Sequence, residues 1–226
     1  MTSNKYAVIV AAGSGSRMKS ALPKQFLSIN NRPILYYTVR TFLEAYDDLI
    51  AIVILPKEYL DKTDELFEEL PKERLLFVEG GETRFHSVRN GLRHVPANTV
   101  VFVHDGVRCM VSADLIKRCH DAALGNGNAI PTVHATDSIR LQYGDKNASV
   151  DRNQVHIVQT PQTFQSNIIL KAFEKEYDPL FTDEASVVEA DGITIHLVEG
   201  EHQNIKVTRP IDLMIVEQLM QKNVTF

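Results

Sequence analysis

The sequence has little cysteine, no long apolar run and no excess of basic residues. Its 226 residues include two cysteines, Cys109 and Cys119. Two cysteines are too few for a disulfide framework, and their spacing does not match a zinc site. We therefore expect a reducing, cytoplasmic setting.

Membrane insertion and secretion are disfavoured by the distribution of apolar residues. No stretch approaches the roughly 20 apolar residues that a membrane-spanning helix needs. The first apolar run, Tyr6 to Val10, has the length of a strand rather than that of a signal-peptide core. We expect neither a membrane segment nor a secretion leader.

The charge balance disfavours a polyanionic partner. The chain has 24 basic and 29 acidic residues, which gives a formal net charge of −5. Nucleic acids and anionic membranes usually bind a net basic face, so we expect neither as a partner. A local cationic pocket for a small phosphorylated substrate is compatible with this balance.

The composition and the order of apolar segments predict one α/β domain over residues 1–226. Hydrophobic residues make up 44% and charged residues 23%, as is usual for a globular protein. Short β-branched runs predict strands at 6–10, 49–55, 75–78, 100–103 and 129–133. Segments of helical period predict helices at 33–45, 59–70, 83–94 and 115–124. This alternation indicates a Rossmann-like, mostly parallel twisted sheet with helices on both faces.

The pattern changes after Thr136. Residues 138–143 alternate between apolar and polar, a Gly144-Asp145 turn follows, and 150–158 alternates loosely. We interpret residues 137–158 as a projecting β-arm, which needs a surface to pack on because isolated hairpins are marginally stable. Further on, we predict helices at 167–177, 183–190 and 210–221 and strands at 193–199 and 204–207.

The loop after the first strand carries the strongest chemical signal. Small residues from Ala11 to Gly15 let the backbone approach a ligand closely, and their N–H groups can bind an anion. Arg17 and Lys24 follow and can stabilise the charge of a leaving pyrophosphate. The loop lacks the third glycine of the dinucleotide fingerprint and the Gly-Lys-Ser/Thr of a P-loop. It is therefore a phosphate-binding candidate of another kind.

A second signal lies at the end of the strand near residue 103, in the run His104-Asp105-Gly106-Val107-Arg108. A carboxylate beside nucleotide phosphates suits Mg²⁺, which prefers oxygen ligands, so Asp105 is a candidate metal ligand. Arg108 has two functional interpretations: it holds the acceptor's phosphate, or it balances Asp105. The alternative is a surface Asp–Arg pair of little energetic weight.

These runs resemble a known family. AAGSGSRM with PKQF downstream resembles the signature of nucleotidylyltransferases that activate sugar or polyol phosphates. GGETRFHSV, HDGVRC, QTPQTF, TDEAS and NIKVTRP follow in order, and the set covers nearly the whole chain. It is most similar to the 2-C-methyl-D-erythritol 4-phosphate cytidylyltransferase family. Two positions depart from the family pattern, where Gly106 stands for alanine and Cys109 for proline.

The resemblance implies CMP transfer from CTP to the polyol phosphate with Mg²⁺ or another divalent cation, in a homodimer whose arm reaches a neighbouring subunit. The implied catalytic residues are Arg17, Lys24 and Lys206. The implied nucleotide-binding residues are Ala11, Ala12, Gly13, Ser14, Gly15, Gly81, Glu82, Ser87, Asp105 and Gly106. The implied substrate-binding residues are Arg108, Asp137, Ser138, Arg152, Thr160 and Thr182.

Three other functions stay open at this point. Ribitol 5-phosphate cytidylyltransferases share the first loop and the Gln-Thr-Pro-Gln element. A sugar 1-phosphate nucleotidylyltransferase would use UTP or GTP instead. A non-catalytic nucleotide-binding domain is disfavoured, because Arg17, Lys24, Asp105 and Lys206 are all present.

Overall fold

The computed structural model describes residues 5–13 and 22–221. Within these ranges the strands are β1 (Lys5–Val10), β2 (Ser28–Ile29), β3 (Arg32–Pro33), β4 (Leu49–Leu55), β5 (Leu75–Glu79), β6 (Val100–Asp105), β7 (Asn128–His134), β8 (Ile139–Tyr143), β9 (Lys146–Val150), β10 (His156–Val158), β11 (Gln162–Gln165) and β12 (Leu197–Glu199). The α-helices are α1 (Ile34–Ala45), α2 (Thr63–Leu66), α3 (Arg84–Leu92), α4 (Ala113–Asn126), α5 (Ser166–Ala172), α6 (Glu184–Glu189) and α7 (Pro210–Gln221).

The central sheet is mixed and mostly parallel, as the sequence predicts. Its strand order is β10-β7-β11-β6-β1-β4-β5, with β12 also paired to β7. β1 runs parallel to β4 and β6, and β4 runs parallel to β5. β11 lies antiparallel between β6 and β7. The α/β fold class is therefore confirmed.

Helices cover both faces of this sheet because successive strand residues point to opposite sides. On one face, Ala7 and Ile9 of β1 pack with buried residues of α1 and α4. On the other face, Val8 packs with buried residues of α3, α5 and α6. Strands that are buried on both faces read as continuous apolar runs, which is why the sequence identified them. No helix in the described ranges is long and apolar enough to cross a membrane.

The projecting arm is a hairpin of β8 and β9, shorter than the predicted 137–158. Ile139 pairs with Val150 and Tyr143 with Lys146, so the second strand begins directly after the Gly144-Asp145 turn. The two-residue turn, with Gly144 at φ 58°, lets β9 pair with β8 directly after the turn. The prediction that the arm extends to residue 158 was wrong. Residues 150–158 contain a 3-10 helix (Arg152–Gln154) and β10, which pairs with β7 in the central sheet.

Three other predicted elements were too long or of the wrong kind. The helix expected at 59–70 is a 3-10 helix (Lys57–Lys62) followed by the single turn α2. Its buried anchors are Phe67 and Leu70, too few to fix a longer amphipathic helix. The strand expected at 193–199 is confined to β12, because the buried Asn128 side chain bonds the backbone of Thr194 and His196. Residues 204–207 form no strand.

Candidate active site

The candidate site is a cavity at the carboxyl ends of the central strands. Backbone hydrogen bonds align the loops that leave those strands: Ala11 N–H donates to Ile54 O (2.9 Å), and Gly106 N–H donates to Val10 O (2.9 Å). Ligand crevices in open α/β sheets lie in this place. The cavity measures about 510 Å³, which is the size of a small-molecule site.

The cavity brings together most of the predicted nucleotide-binding residues. The predicted residues that line it are Ala11, Ala12, Gly13, Lys24, Gly81, Glu82, Ser87, Asp105 and Lys206. Five further lining residues were not predicted from the sequence: Val10, Gln25, Thr83, Arg84 and Val107. Ser14, Gly15 and Arg17 lie outside the described residues.

Gln25 holds the first loop in its shape. Its side chain is 1% exposed, and its Nε2 donates to Ala11 O (2.6 Å) and to Gly13 O (3.0 Å). Two carbonyl groups of the loop are thereby turned towards Gln25. The position of Gln25 directly after Lys24 was the signal in the sequence that could have identified it.

The loop from Gly80 to Thr83 packs against the loop after β1 and leads into α3. An added Cβ on Gly80 would lie 2.3 Å from Ala12 Cβ, so only glycine allows this close approach. Ser87 Oγ accepts from Gly81 N–H (3.0 Å), and Thr83 caps the helix by accepting from His86 N–H. Ser87 therefore fixes the glycine backbone at the cavity wall.

Asp105 is the electrostatic centre of the site. Its Oδ2 contacts Arg108 Nε (3.1 Å) and Lys206 Nζ (3.0 Å), while its Oδ1 contacts Arg84 Nη2 (3.4 Å). Burial raises the pKa of this carboxyl, but Arg84, Lys206 and Arg108 together hold the pKa well below its usual range. Asp105 is therefore an anion at any physiological pH.

Arg108 forms an ion pair with Asp105 but does not line the cavity. It is 9% exposed, and its Nη1 donates to Asn204 O (2.8 Å). The surface-pair interpretation was wrong, because both members of the pair are buried. A role of Arg108 in holding the acceptor's phosphate stays a prediction.

The two predicted catalytic lysines meet at one wall of the cavity. Lys24 Nζ donates to Val207 O (3.0 Å), next to Lys206, whose own ammonium reaches Asp105. Residues 182 positions apart are thus neighbours at the cavity. Their positive charges suit the phosphates of a nucleotide.

Thr160 supports Asp105 from inside the protein. Its hydroxyl accepts a hydrogen bond from Asp105 N–H (3.1 Å). His104 Nε2 lies 3.2 Å from the carbonyl oxygen of Arg108, which can only accept, so Nε2 carries the proton of the ring. Nδ1 is therefore the acceptor, and the Thr160 hydroxyl donates to it (3.0 Å). Burial lowers the pKa of His104 to about 3, so the ring is neutral. Thr160 is 4% exposed, and in this chain its hydroxyl binds the backbone of Asp105 and does not line the cavity.

The other predicted substrate-binding residues lie outside the cavity. Asp137, Ser138 and Arg152 are exposed at the base of the hairpin, where Arg152 Nη1 donates to Thr136 O (2.8 Å). Thr182 is exposed before α6. The single chain does not bring these four residues to the cavity.

Both positions that depart from the family pattern are buried. Cys109 is 4% exposed and packs with Ile29, Ile34 and Val107, and burial raises the pKa of its thiol to about 12. A thiol in this state is not a nucleophile. Gly106 is packed so closely that an added Cβ would lie 2.9 Å from Ala11 Cβ and 2.8 Å from Leu35 Cδ1.

Comparison with known proteins identifies a family. The family model for 2-C-methyl-D-erythritol 4-phosphate cytidylyltransferase matches residues 6–222. A protein of that name from Bacteroides fragilis is 44% identical over 95% of this chain and 98% of its own length. One from Bacteroides thetaiotaomicron is 44% identical over 94% of this chain and 98% of its own length.

A solved structure shares the architecture. The 4-diphosphocytidyl-2C-methyl-D-erythritol synthase from Anaerococcus prevotii is 26% identical, with a TM-score of 0.84 over 97% of this chain and 96% of its own. The fold, the cationic cavity and these matches define an enzyme of the cytidylyltransferase class. Within that class, the chain belongs to the 2-C-methyl-D-erythritol 4-phosphate cytidylyltransferase family.

The packing of Gly106 predicts that the alanine of the family pattern is harmful in this chain. Gly106→Ala should push Ala11 towards the cavity, lower the free energy of unfolding by about 1–3 kcal/mol and raise KM for CTP severalfold. Gly125→Ala in α4 is the control, because an added Cβ there has no atom within 4 Å and alanine favours the helix. For both variants, urea unfolding measures the free energy of unfolding and steady-state kinetics measure KM for CTP. Equal behaviour of the two variants would contradict the packing argument.

Proposed function

We propose that this chain transfers the cytidylyl group of CTP to 2-C-methyl-D-erythritol 4-phosphate and releases pyrophosphate, as a step of isoprenoid precursor synthesis. The observation that carries the proposal is the cavity itself. It gathers Lys24, Arg84 and Lys206 with the buried carboxylate of Asp105. It lies at the strand ends, where ligands bind in open α/β sheets. The names of the relatives supply the identity of the two substrates.

The chemistry needs positioning and charge stabilisation rather than a protein nucleophile. An oxygen of the acceptor's phosphate attacks the α-phosphorus of CTP in line, and the bond from that phosphorus to the bridging oxygen of pyrophosphate breaks. A phosphate dianion is already nucleophilic, so no general base is required. Lys24 and Lys206, with Arg17, stabilise the charge that accumulates on the leaving pyrophosphate.

Mg²⁺ fits this site as a partner of the nucleotide rather than as a metal held by the protein alone. The described residues contain no group of three His, Cys, Asp or Glu side chains that could hold a metal ion. Mg²⁺ usually keeps several waters and binds one or two carboxylates together with substrate phosphates. Asp105 would supply the carboxylate, and the ion would neutralise part of the triphosphate charge.

The function is tested by pyrophosphate release with CTP and Mg²⁺. Parallel reactions offer 2-C-methyl-D-erythritol 4-phosphate and ribitol 5-phosphate, and further reactions replace CTP by UTP or GTP. We expect turnover with CTP and the methylerythritol acceptor. Turnover with ribitol 5-phosphate alone would reassign the acceptor, and activity with UTP or GTP alone would reassign the nucleotide. Absence of turnover in every reaction would contradict the proposal.

We also propose that the hairpin Ile139–Val150 joins two copies of the chain. Its strands pair with each other and with no other strand of the described residues. Leu141 and Tyr143, on one face of β8, are 46% and 63% exposed. A two-stranded hairpin with an exposed apolar face needs a surface to cover it. In a dimer, Asp137, Ser138 and Arg152 would reach the neighbouring site.

Sedimentation at micromolar concentration tests the dimer. The double variant Leu141→Asp/Tyr143→Asp should sediment as a monomer, because it places two charges in the proposed apolar contact. Gln142→Asp, on the opposite face of the same strand, is the control and should stay dimeric. A monomeric parent protein would contradict the proposal.

The cytoplasmic setting stays a prediction, and both cysteines are free and buried.

A further inference from the structure

The buried carboxylate of Glu184 lies next to the candidate site but does not line the main cavity. Glu184 is the first residue of α6 and is 1% exposed. Its Oε1 accepts a hydrogen bond from Arg84 Nη1, and Arg84 is the first residue of α3. The first turns of two helices, 100 residues apart in the chain, are thus tied by one ion pair.

Glu184 is not needed to begin its own helix. Asp183 caps α6 by accepting from Ser186 N–H (2.9 Å), and Ser186 Oγ accepts in return from Asp183 N–H (3.2 Å). Burying a carboxylate is costly unless it is paired. Burial raises the pKa of Glu184, and Arg84 opposes that effect. The interaction that Glu184 makes with Arg84 therefore has to account for its burial.

Arg84 connects this buried carboxylate to the cavity. Its Nη2 lies 3.4 Å from Asp105 Oδ1, and its side chain is 30% exposed where it lines the cavity wall. The guanidinium is held between two carboxylates, so its remaining N–H groups keep one orientation. A fixed guanidinium plane is suited to phosphate oxygens.

Arg84 shares its guanidinium between Glu184 and Asp105. The contacts to Asp105 Oδ2 are 3.0 and 3.1 Å, whereas Arg84 keeps the longer distance of 3.4 Å from Oδ1. The closer contact of Arg84 is with Glu184. Without Glu184, Arg84 would be free to turn fully towards Asp105, and all three cations would compete for one carboxylate.

We propose that Glu184 is a positioning residue of the nucleotide site that acts through Arg84. It fixes the guanidinium along the cavity wall, between Glu184 and Asp105. This inference rests on the proposed function, since it takes CTP as the ligand. Glu184 is a positioning residue and not a catalytic one, because it contacts Arg84 and not the cavity.

A double-mutant cycle on Glu184→Gln and Arg84→Met tests the proposal. We expect Glu184→Gln to lower kcat/KM for CTP about tenfold and to weaken CTP binding in calorimetry without acceptor. The double variant should be no worse than Arg84→Met alone, because Glu184 has no other route to the nucleotide. Multiplied losses in the double variant, or CTP parameters of Glu184→Gln within twofold of the parent, would overturn it.

Two further variants separate positioning from stability. Asp183→Ala removes the cap of the same helix and should lower Tm while leaving kcat/KM for CTP within about twofold. Glu184→Asp keeps the charge but shortens its reach, and it should lower kcat/KM severalfold even if Glu184→Gln does not fold. Unchanged kinetics in Glu184→Asp would overturn the proposal. Calorimetry with CTP decides this inference even if neither acceptor is turned over, an outcome that would contradict only the proposed function.

Discussion

A buried carboxylate at the end of β6 joins three parts of the chain that are distant in sequence. Asp105 contacts Arg84 from the start of α3, Arg108 from the loop after β6 and Lys206 from the segment before α7. Its backbone N–H is held in turn by Thr160, from the segment before β11. Breaking a buried network of this kind leaves uncompensated charges. The loops around the cavity therefore depend on Asp105 for their relative positions.

The same arrangement explains how an acidic protein provides a site for a triphosphate. The net charge of the chain is −5, yet the cavity wall gathers Lys24, Arg84 and Lys206. Asp105 contacts two of these cations, Arg84 and Lys206, and holds them at the cavity wall. Because the site is partly shielded from water, these charges act more strongly on a ligand than they would on an open surface.

The sequence predicted the parallel strands and the loops that follow them, because strands buried on both faces have continuous apolar sequences. It also predicted Asp105, Lys24 and Lys206 as site residues, and the structure places all three at one cavity. It did not reveal the contact between Arg84 and Glu184, since a pairing across 100 residues leaves no local pattern. It misplaced the hairpin and the segment before α7 because short alternating runs do not specify their partners.

The most direct test of this account is Asp105→Asn, which removes the charge and keeps the shape of the side chain. CTP turnover and CTP binding are measured together with thermal unfolding, so that a folded variant is compared with the parent. We predict a loss of turnover of at least about a hundredfold, together with a lower Tm, because three cations lose their shared partner. Turnover within about twofold of the parent would contradict the account.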